Sequence, residues 1–286
     1  MTVSTTTVPT VTLNDGTTIP QLGFGVFLVP PDETRRTVEQ ALEVGYRHID
    51  TAQMYGNEAE VGAALAASGI PRDELYVTTK LNNGHHEPDD ARRSFAESLD
   101  KLGLDRVDLF LIHWPLPTRY DGDFVTTWRT MVELRDGGGA TSVGVSNFEP
   151  AHLDRIIDET GVVPAVNQIE VNPYFTNEAA RAADARHGIA TEAWSPIARG
   201  GIAEDETIAA IAERVGRTPA QVTLRWHLQR GDIVFPKSVR RERMEENFAL
   251  FDFELTDDDL VAIAGLDRGE EGRTGPNPNT FDLIRR

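Results

Sequence analysis

Short apolar runs alternate with amphipathic stretches along almost the whole chain. QLGFGVF, YRHIDTA, LYVTTKL, VDLFLIHW, ATSVGVS, PAVNQIEVN, IATEAWSPI and DIVFPKS are apolar through most of their length rather than at every second residue. That pattern predicts strands buried on both faces, as in parallel sheets covered by helices. Between them lie helical periods. DETRRTVEQALEVG puts Val38, Ala41, Leu42 and Gly45 on one face, and DDARRSFAESLDKLG does the same with Phe95, Leu99 and Leu102. The stretch from Asp205 to Gly231 is helical throughout, with a break at Thr218-Pro219, where a cap residue precedes a proline that can open a new helix. A small hairpin, TVTLNDGTTIP, precedes the repeat and turns at Asn14-Asp15-Gly16. Eight strand-helix units with short connections predict an α/β fold: a closed (β/α)8 barrel, or TIM barrel, as one domain over residues 1–286. An open doubly wound sheet is the alternative. It requires a glycine-rich turn after its first strand, and Leu22-Gly23-Phe24-Gly25 lacks the third glycine and runs into Pro30-Pro31. After a short helix in TDDDLVAIAGL, the tail from Arg268 reads as loop.

Barrels carry their chemistry at the C-terminal ends of the strands. Those ends supply Asp50, Lys80 and His113, and Tyr55 follows the second strand in its loop. Taken singly, each has a bland use: a turn-forming aspartate, a packed tyrosine, a hydrogen-bonded histidine. Together on one rim they form a device for protonating a carbonyl oxygen. Tyrosine, with an ordinary pKa of about 10, is a poor acid at neutral pH. A lysine ammonium about 4 Å away would stabilise its phenolate by roughly 4 kcal/mol, so Tyr55 is expected to titrate lower than usual. Asp50 would keep Lys80 charged against the core, and His113 would orient the carbonyl. No side chain here donates hydride, so the device requires a cofactor.

Composition narrows the partners. The chain has 286 residues, a formal net charge of -18 and no cysteine, which excludes disulfides, thiolate metal sites and cysteine nucleophiles. Such acidity opposes sequence-independent nucleic-acid binding and anionic membranes. The longest apolar run, VDLFLIHWPL, is too short to cross a bilayer, and the N-terminal MTVSTTTVPT does not read as a signal peptide. A cytoplasmic monomer acting on a small molecule is the expectation. Against the acidic background, FPKSVRRERMEEN gathers Lys237, Arg240, Arg241 and Arg243 after the eighth strand. That is a frequent phosphate site in barrels. Trp194, at the end of the seventh strand, offers a face for a flat ring.

GYRHIDTAQMYGNE, LIHWP, GVSNF, NQIEVNP and FPKSVRRERMEEN occur in the order and spacing of the aldo-keto reductase family, which the chain resembles from hairpin to tail. It looks most like the bacterial 2,5-diketo-D-gluconic acid reductases. The resemblance implies a catalytic tetrad of Asp50, Tyr55, Lys80 and His113 with Tyr55 as general acid. It implies that Ser146, Asn147 and Gln168 hold a nicotinamide carboxamide while Trp194 stacks on the ring. Ser195, Pro196, Ile197, Lys237, Ser238, Val239, Arg240, Arg243, Glu246 and Asn247 would hold the rest of the dinucleotide. Of these, Lys237, Ser238 and Arg243 would bind a 2′-phosphate, so NADPH is the expected cofactor. Phe27, Asn82 and Trp114 would wall the substrate pocket. Many relatives carry tryptophan where Asn82 stands, which implies a wider or more polar pocket here. The short tail, with Phe281, favours small flexible carbonyl substrates.

Three functional readings follow. The first is reduction of aldehydes or ketones, among them sugar-derived ketones, keto acids and small dicarbonyls. The second is a nucleotide-sensing binding protein with little turnover, opposed by the intact tetrad. The third is a metal-dependent hydrolase; His85-His86 lack the accompanying strand-end ligands such a site would require, so no metal is expected.

Overall fold

The computed structural model describes residues 8–284. Thr10–Thr12 (β1) and Thr18–Pro20 (β2) form the antiparallel hairpin. Eight parallel strands follow: Phe24–Gly25 (β3), His48–Asp50 (β4), Tyr76–Leu81 (β5), Val107–Ile112 (β6), Ala140–Ser146 (β7), Val166–Glu170 (β8), Ala190–Trp194 (β9) and Ile233–Val234 (β10). Each pairs with the next in chain order. The ring closes where Leu22 bridges Val234, with Gly23 N–H donating to the Val234 carbonyl at 2.8 Å and Val234 N–H to the Gln21 carbonyl at 3.0 Å. The (β/α)8 barrel is therefore the fold, as the unbroken apolar runs imply.

Closure explains the glycines of the first strand. A Cβ on Gly25 would sit 2.7 Å from the Phe235 carbonyl oxygen, and one on Gly23 would sit 2.6 Å from the His48 ring. They permit close backbone approach at the seam rather than phosphate binding. The hairpin shuts the N-terminal end of the barrel. Leu13 and Ile19 pack with Tyr76, Leu109, Leu111, Val166 and Ile233, and Asp15 accepts from the Ser142 hydroxyl at 2.7 Å. The other end stays open to the connecting loops.

The outer helices are Pro31–Val44 (α1), Glu58–Ala67 (α2), Pro88–Leu102 (α3), Phe124–Asp136 (α4), Pro150–Thr160 (α5), Glu178–His187 (α6), Glu206–Val215 (α7), Pro219–Gln229 (α8), Arg241–Phe248 (α9) and Asp257–Ala264 (α10). Val38, Ala41 and Leu42 of α1, and Phe95 and Leu102 of α3, are buried in the main core with the outward faces of the strands. The break at Thr218 is real: Gly216, at φ +66°, ends α7. Thr218 and Gln221 then form a reciprocal capping box that opens α8 at Pro219. The first and last barrel strands are shorter than their apolar runs, because the ring closes through the isolated Leu22–Val234 bridge rather than a long ladder.

Candidate active site

Four expected residues meet at the open end of the barrel. Asp50 ends β4 and Lys80 lies one residue before the end of β5. Both are buried, and Lys80 Nζ donates to Asp50 Oδ1 at 2.7 Å. It donates also to the Thr51 carbonyl at 2.9 Å and reaches Tyr55 Oη at 3.3 Å. Three oxygens thus take the three ammonium hydrogens. Burial pulls Lys80 down, but Asp50 and then Tyr55 hold it above the ordinary lysine value, so it stays charged. Tyr55 stands in the short helical turn Gln53–Tyr55, and its ring lies against Phe27 and edge-on to His113. The His113 ring is buried, and burial followed by the Lys80 charge lowers it well below an ordinary histidine. It is therefore a neutral imidazole with one N–H to give.

Tyr55 departs from the expectation of a lowered pKa. Burial raises it, Lys80 lowers it and Asp50 raises it again, with a net upward shift. An ammonium neutralised by its own carboxylate offers only part of its field to a third group. Tyr55 therefore keeps its proton at neutral pH.

Behind the four residues runs a second polar layer. Gln168 donates both amide hydrogens at 2.9 Å, one to Asp50 Oδ2 and one to Glu192 Oε2. Glu192 is fully buried in β9, and its Oε1 has no hydrogen-bond partner and lies 3.8 Å from His48 Nε2. Burial, and after it the charge of Asp50, raises Glu192 to about 8, while burial drops His48 to about 3. The pair is neutral at pH 7. This acid was missed in the sequence, where a carboxylate inside the apolar run IATEAW was its only signal. Its raised value makes stability fall as pH rises from 4.5 toward 8, since the unfolded chain releases the proton first. Glu192→Gln removes that proton linkage. Its melting temperature is expected to decline less than the wild type's between pH 5 and 8, by several degrees. Asp184, raised to about 7, keeps a residual slope in both proteins. Equal slopes in thermal melts would contradict the assignment.

Beside this layer, Asn147 takes a left-handed conformation (φ +64°) directly after β7, which asparagine tolerates better than most residues. It donates to the His113 carbonyl and to Ser146 Oγ, both at 2.9 Å. Ser146 Oγ donates to the Gln168 carbonyl at 2.8 Å, and Trp194 Nε1 donates to Asn147 Oδ1 at 2.9 Å. Ser146, Asn147, Gln168 and Trp194 are thus one linked set next to His113. Glu170, buried at the end of β8, accepts from Thr274 N–H and Oγ1 at 2.6 Å and Gly275 N–H at 2.9 Å, tying down the tail. A Cβ on Gly275 would lie 2.4 Å from the Trp194 ring. Gly275→Val is therefore expected to displace the indole and change its intrinsic fluorescence maximum, whereas a spectrum identical to the wild type's would show the tail free to move aside.

The expected phosphate residues surround the start of α9. Lys237, Arg240 and Arg243 are exposed, and among the described residues none of the three makes an ion pair. Arg241 differs: it pairs with Glu43 and Glu245 and belongs to the helix surface. Ser238 is buried in its own turn, bonded to the Arg240 backbone, and Val239 is exposed. Glu246 accepts from Thr218 at 2.6 Å, and Asn247 is buried. In the loop after β9, Ser195 is left-handed (φ +51°), the Pro196 carbonyl accepts from His227, and Ile197 packs on the core. Of the pocket walls, Phe27 is exposed beside Tyr55, and Trp114 is covered by Phe281 at 4.2 Å between centroids. Asn82 turns into its own loop, where Oδ1 accepts from Gly84 N–H at 3.1 Å. His86 is buried and stacks on Tyr120.

Residues 21–268 match the model of the Aldo/keto reductase family. The chain belongs to this family. It is 51% identical to an aldo-keto reductase of Mycolicibacterium smegmatis over 96% of this chain and 98% of the relative. It is 47% identical to the methylglyoxal reductase DkgA of Escherichia coli (strain K12), over 94% of this chain and 96% of that protein. The crystal structure of a Gox0644 mutant in complex with NADPH superposes with a TM-score of 0.92 at 46% identity, covering 97% of this chain and all of the other. Among the described residues, no helix of this aldo/keto reductase is long and apolar enough to cross a membrane.

Proposed function

We propose that this aldo/keto reductase uses NADPH to reduce the carbonyl group of small aldehydes and ketones, with dicarbonyls such as methylglyoxal and sugar-derived ketones such as 2,5-diketo-gluconate as its substrate class. The observation that carries the proposal is the Lys80 ammonium bonded at once to Asp50 Oδ1, the Thr51 carbonyl and Tyr55 Oη at the open end of the barrel. NADPH fits the residues present. The three cations around α9, unpaired among the described residues, suit its phosphates in a chain of net charge -18, and Gln168 Oε1, which accepts no hydrogen bond among the described residues, suits the N–H of a carboxamide. The DkgA relatives and the NADPH complex of Gox0644 support the same reading.

When bound, the cofactor supplies hydride to the carbonyl carbon. The chain's own residues manage the oxygen. His113, neutral, donates a hydrogen bond that orients the carbonyl. Tyr55 gives its proton to the oxygen as negative charge develops there. Lys80, 3.3 Å away, stabilises the phenolate left behind, by up to about 5 kcal/mol at an effective dielectric near 20 before the opposing Asp50 charge is counted. Asp50 keeps that ammonium charged, and Gln168, itself bonded to Glu192, holds Asp50 from behind. Phe27 and Trp114 wall the pocket, and Asn82, folded back on its loop, leaves room beside them.

The cofactor assignment is tested with Lys237 and Arg243. Each charge-assisted bond to a phosphate contributes about 1.5–3 kcal/mol. Arg243→Ala is expected to raise the Kd of NADPH by roughly ten-fold or more while leaving the Kd of NADH within about two-fold. A protein that binds both dinucleotides equally before and after the change would contradict NADPH as the cofactor.

A further inference from the structure

RWHLQR, at the C-terminal end of α8, contains a histidine that neither the sequence motifs nor the mechanism uses. His227 is fully buried. Its Nδ1 lies 2.9 Å from Asp232 Oδ2, and its Nε2 lies 3.1 Å from the Pro196 carbonyl oxygen. Neither partner has a hydrogen to give. Asp232 is held ionised: burial raises its carboxyl, but His227 and Arg181 bring it below the usual range. Arg181 bonds Asp232 Oδ1 through Nε at 3.1 Å and through the guanidinium tip at 2.9 Å. The Pro196 carbonyl can only accept, so the ring donates that bond from Nε2–H.

What His227 grips is the loop that follows Trp194. That loop departs from ordinary backbone geometry at Ser195 (φ +51°), Ala198 (φ +46°) and Arg199 (φ +54°). A non-glycine residue in this region is strained and persists only where its surroundings impose it. Pro196 has no N–H, so its carbonyl is the one backbone hydrogen-bonding group it offers. The bond to His227 joins the loop to α8 and, through Asp232, to the start of β10.

We propose that His227 is a positioning residue for the dinucleotide: held at Nδ1 by Asp232 and donating from Nε2 to the Pro196 carbonyl, it keeps the loop after β9 in its binding shape before the cofactor arrives. The assignment rests on the NADPH reading above. It predicts an effect on cofactor affinity, since His227 is enclosed behind the loop and touches no reacting group. Arg230, Glu178 and Asp184 complete the charged surroundings of the Asp232–Arg181 pair, and none of them reaches the Pro196 bond.

The test begins with the cofactor-free wild type. Its His227 Nε2, followed by 15N NMR, is expected to carry a proton held in the bond to Pro196. An Nε2 without its proton would overturn the clamp. His227→Leu, which can make neither bond, is then titrated with NADPH by fluorescence, below its melting temperature. A rise in Kd of about ten-fold, with kcat at saturating NADPH within about two-fold, supports the proposal. An unchanged Kd beside a lowered melting temperature would make His227 structural only and overturn it. Asp232→Asn serves as the second variant. Its amide can donate to Nδ1 of a neutral ring, which still donates from Nε2 to Pro196. It should therefore keep Nε2 protonated and keep its NADPH affinity. An affinity loss equal to that of His227→Leu would overturn the role given to the Pro196 bond. Failure of the wild type to bind NADPH would instead overturn the cofactor reading, and the NMR result would still stand by itself.

Discussion

Tyr55→Phe is expected to lower kcat for carbonyl reduction by about 10²–10⁴-fold, the usual contribution of a positioned general acid. The ring would keep its contacts with Phe27 and His113, so the pocket shape and the Kd of NADPH should not change. Stability should change little, because Lys80 retains Asp50 and the Thr51 carbonyl as acceptors. The raised pKa of Tyr55 adds a pH expectation. The reductive rate should not fall through the neutral range on account of this group, since it stays protonated there. The rate should fall only when alkaline pH removes the tyrosine proton. A variant with near-normal kcat would move the acid role away from Tyr55.

Lys80→Met should be the most damaging single change, because it acts on rate and stability together. The phenolate would lose its nearest cation, worth up to about 5 kcal/mol at the 3.3 Å separation before the opposing Asp50 charge is counted, so kcat should fall by roughly 10²–10³-fold. Asp50 would be left as a buried carboxylate with Gln168 as its remaining partner. Removing one member of a buried pair destabilises by about 3–5 kcal/mol. Denaturant unfolding at neutral pH would measure that loss. Adding Asp50→Asn to Lys80→Met should restore much of the stability and none of the rate. A double variant no more stable than Lys80→Met alone would contradict the stranded-charge explanation.

The barrel was legible because its strands are apolar on both faces and each is followed by a helical period. The same reading located Asp50, Lys80 and His113, since strand ends can be counted along the chain and barrels gather them on one rim. What remained hidden depends on three-dimensional burial. The proximity of Lys80 to Tyr55 suggested a lowered tyrosine pKa. Enclosure of the ring, and the Asp50 charge that offsets Lys80, reverse the sign. Glu192 is a single polar letter in an apolar run, and His227 is one polar residue among several at the end of an amphipathic helix; neither carries a hint of its partners. Glu170 looks like another rim carboxylate, yet it anchors the tail some hundred residues away in sequence. Asn82 looked like a pocket residue, and half of its side chain is spent on its own turn.

The most direct test of the central claim is the loss of reduced-nicotinamide absorbance when wild-type protein, NADPH and methylglyoxal are mixed, run beside Tyr55→Phe. Steady turnover by the wild type is expected, with a rate lower by at least about a hundred-fold in the variant. Tight NADPH binding without turnover, on methylglyoxal and across a panel of aldehydes and ketones including 2,5-diketo-gluconate, would contradict it and make the protein a nucleotide-binding module instead.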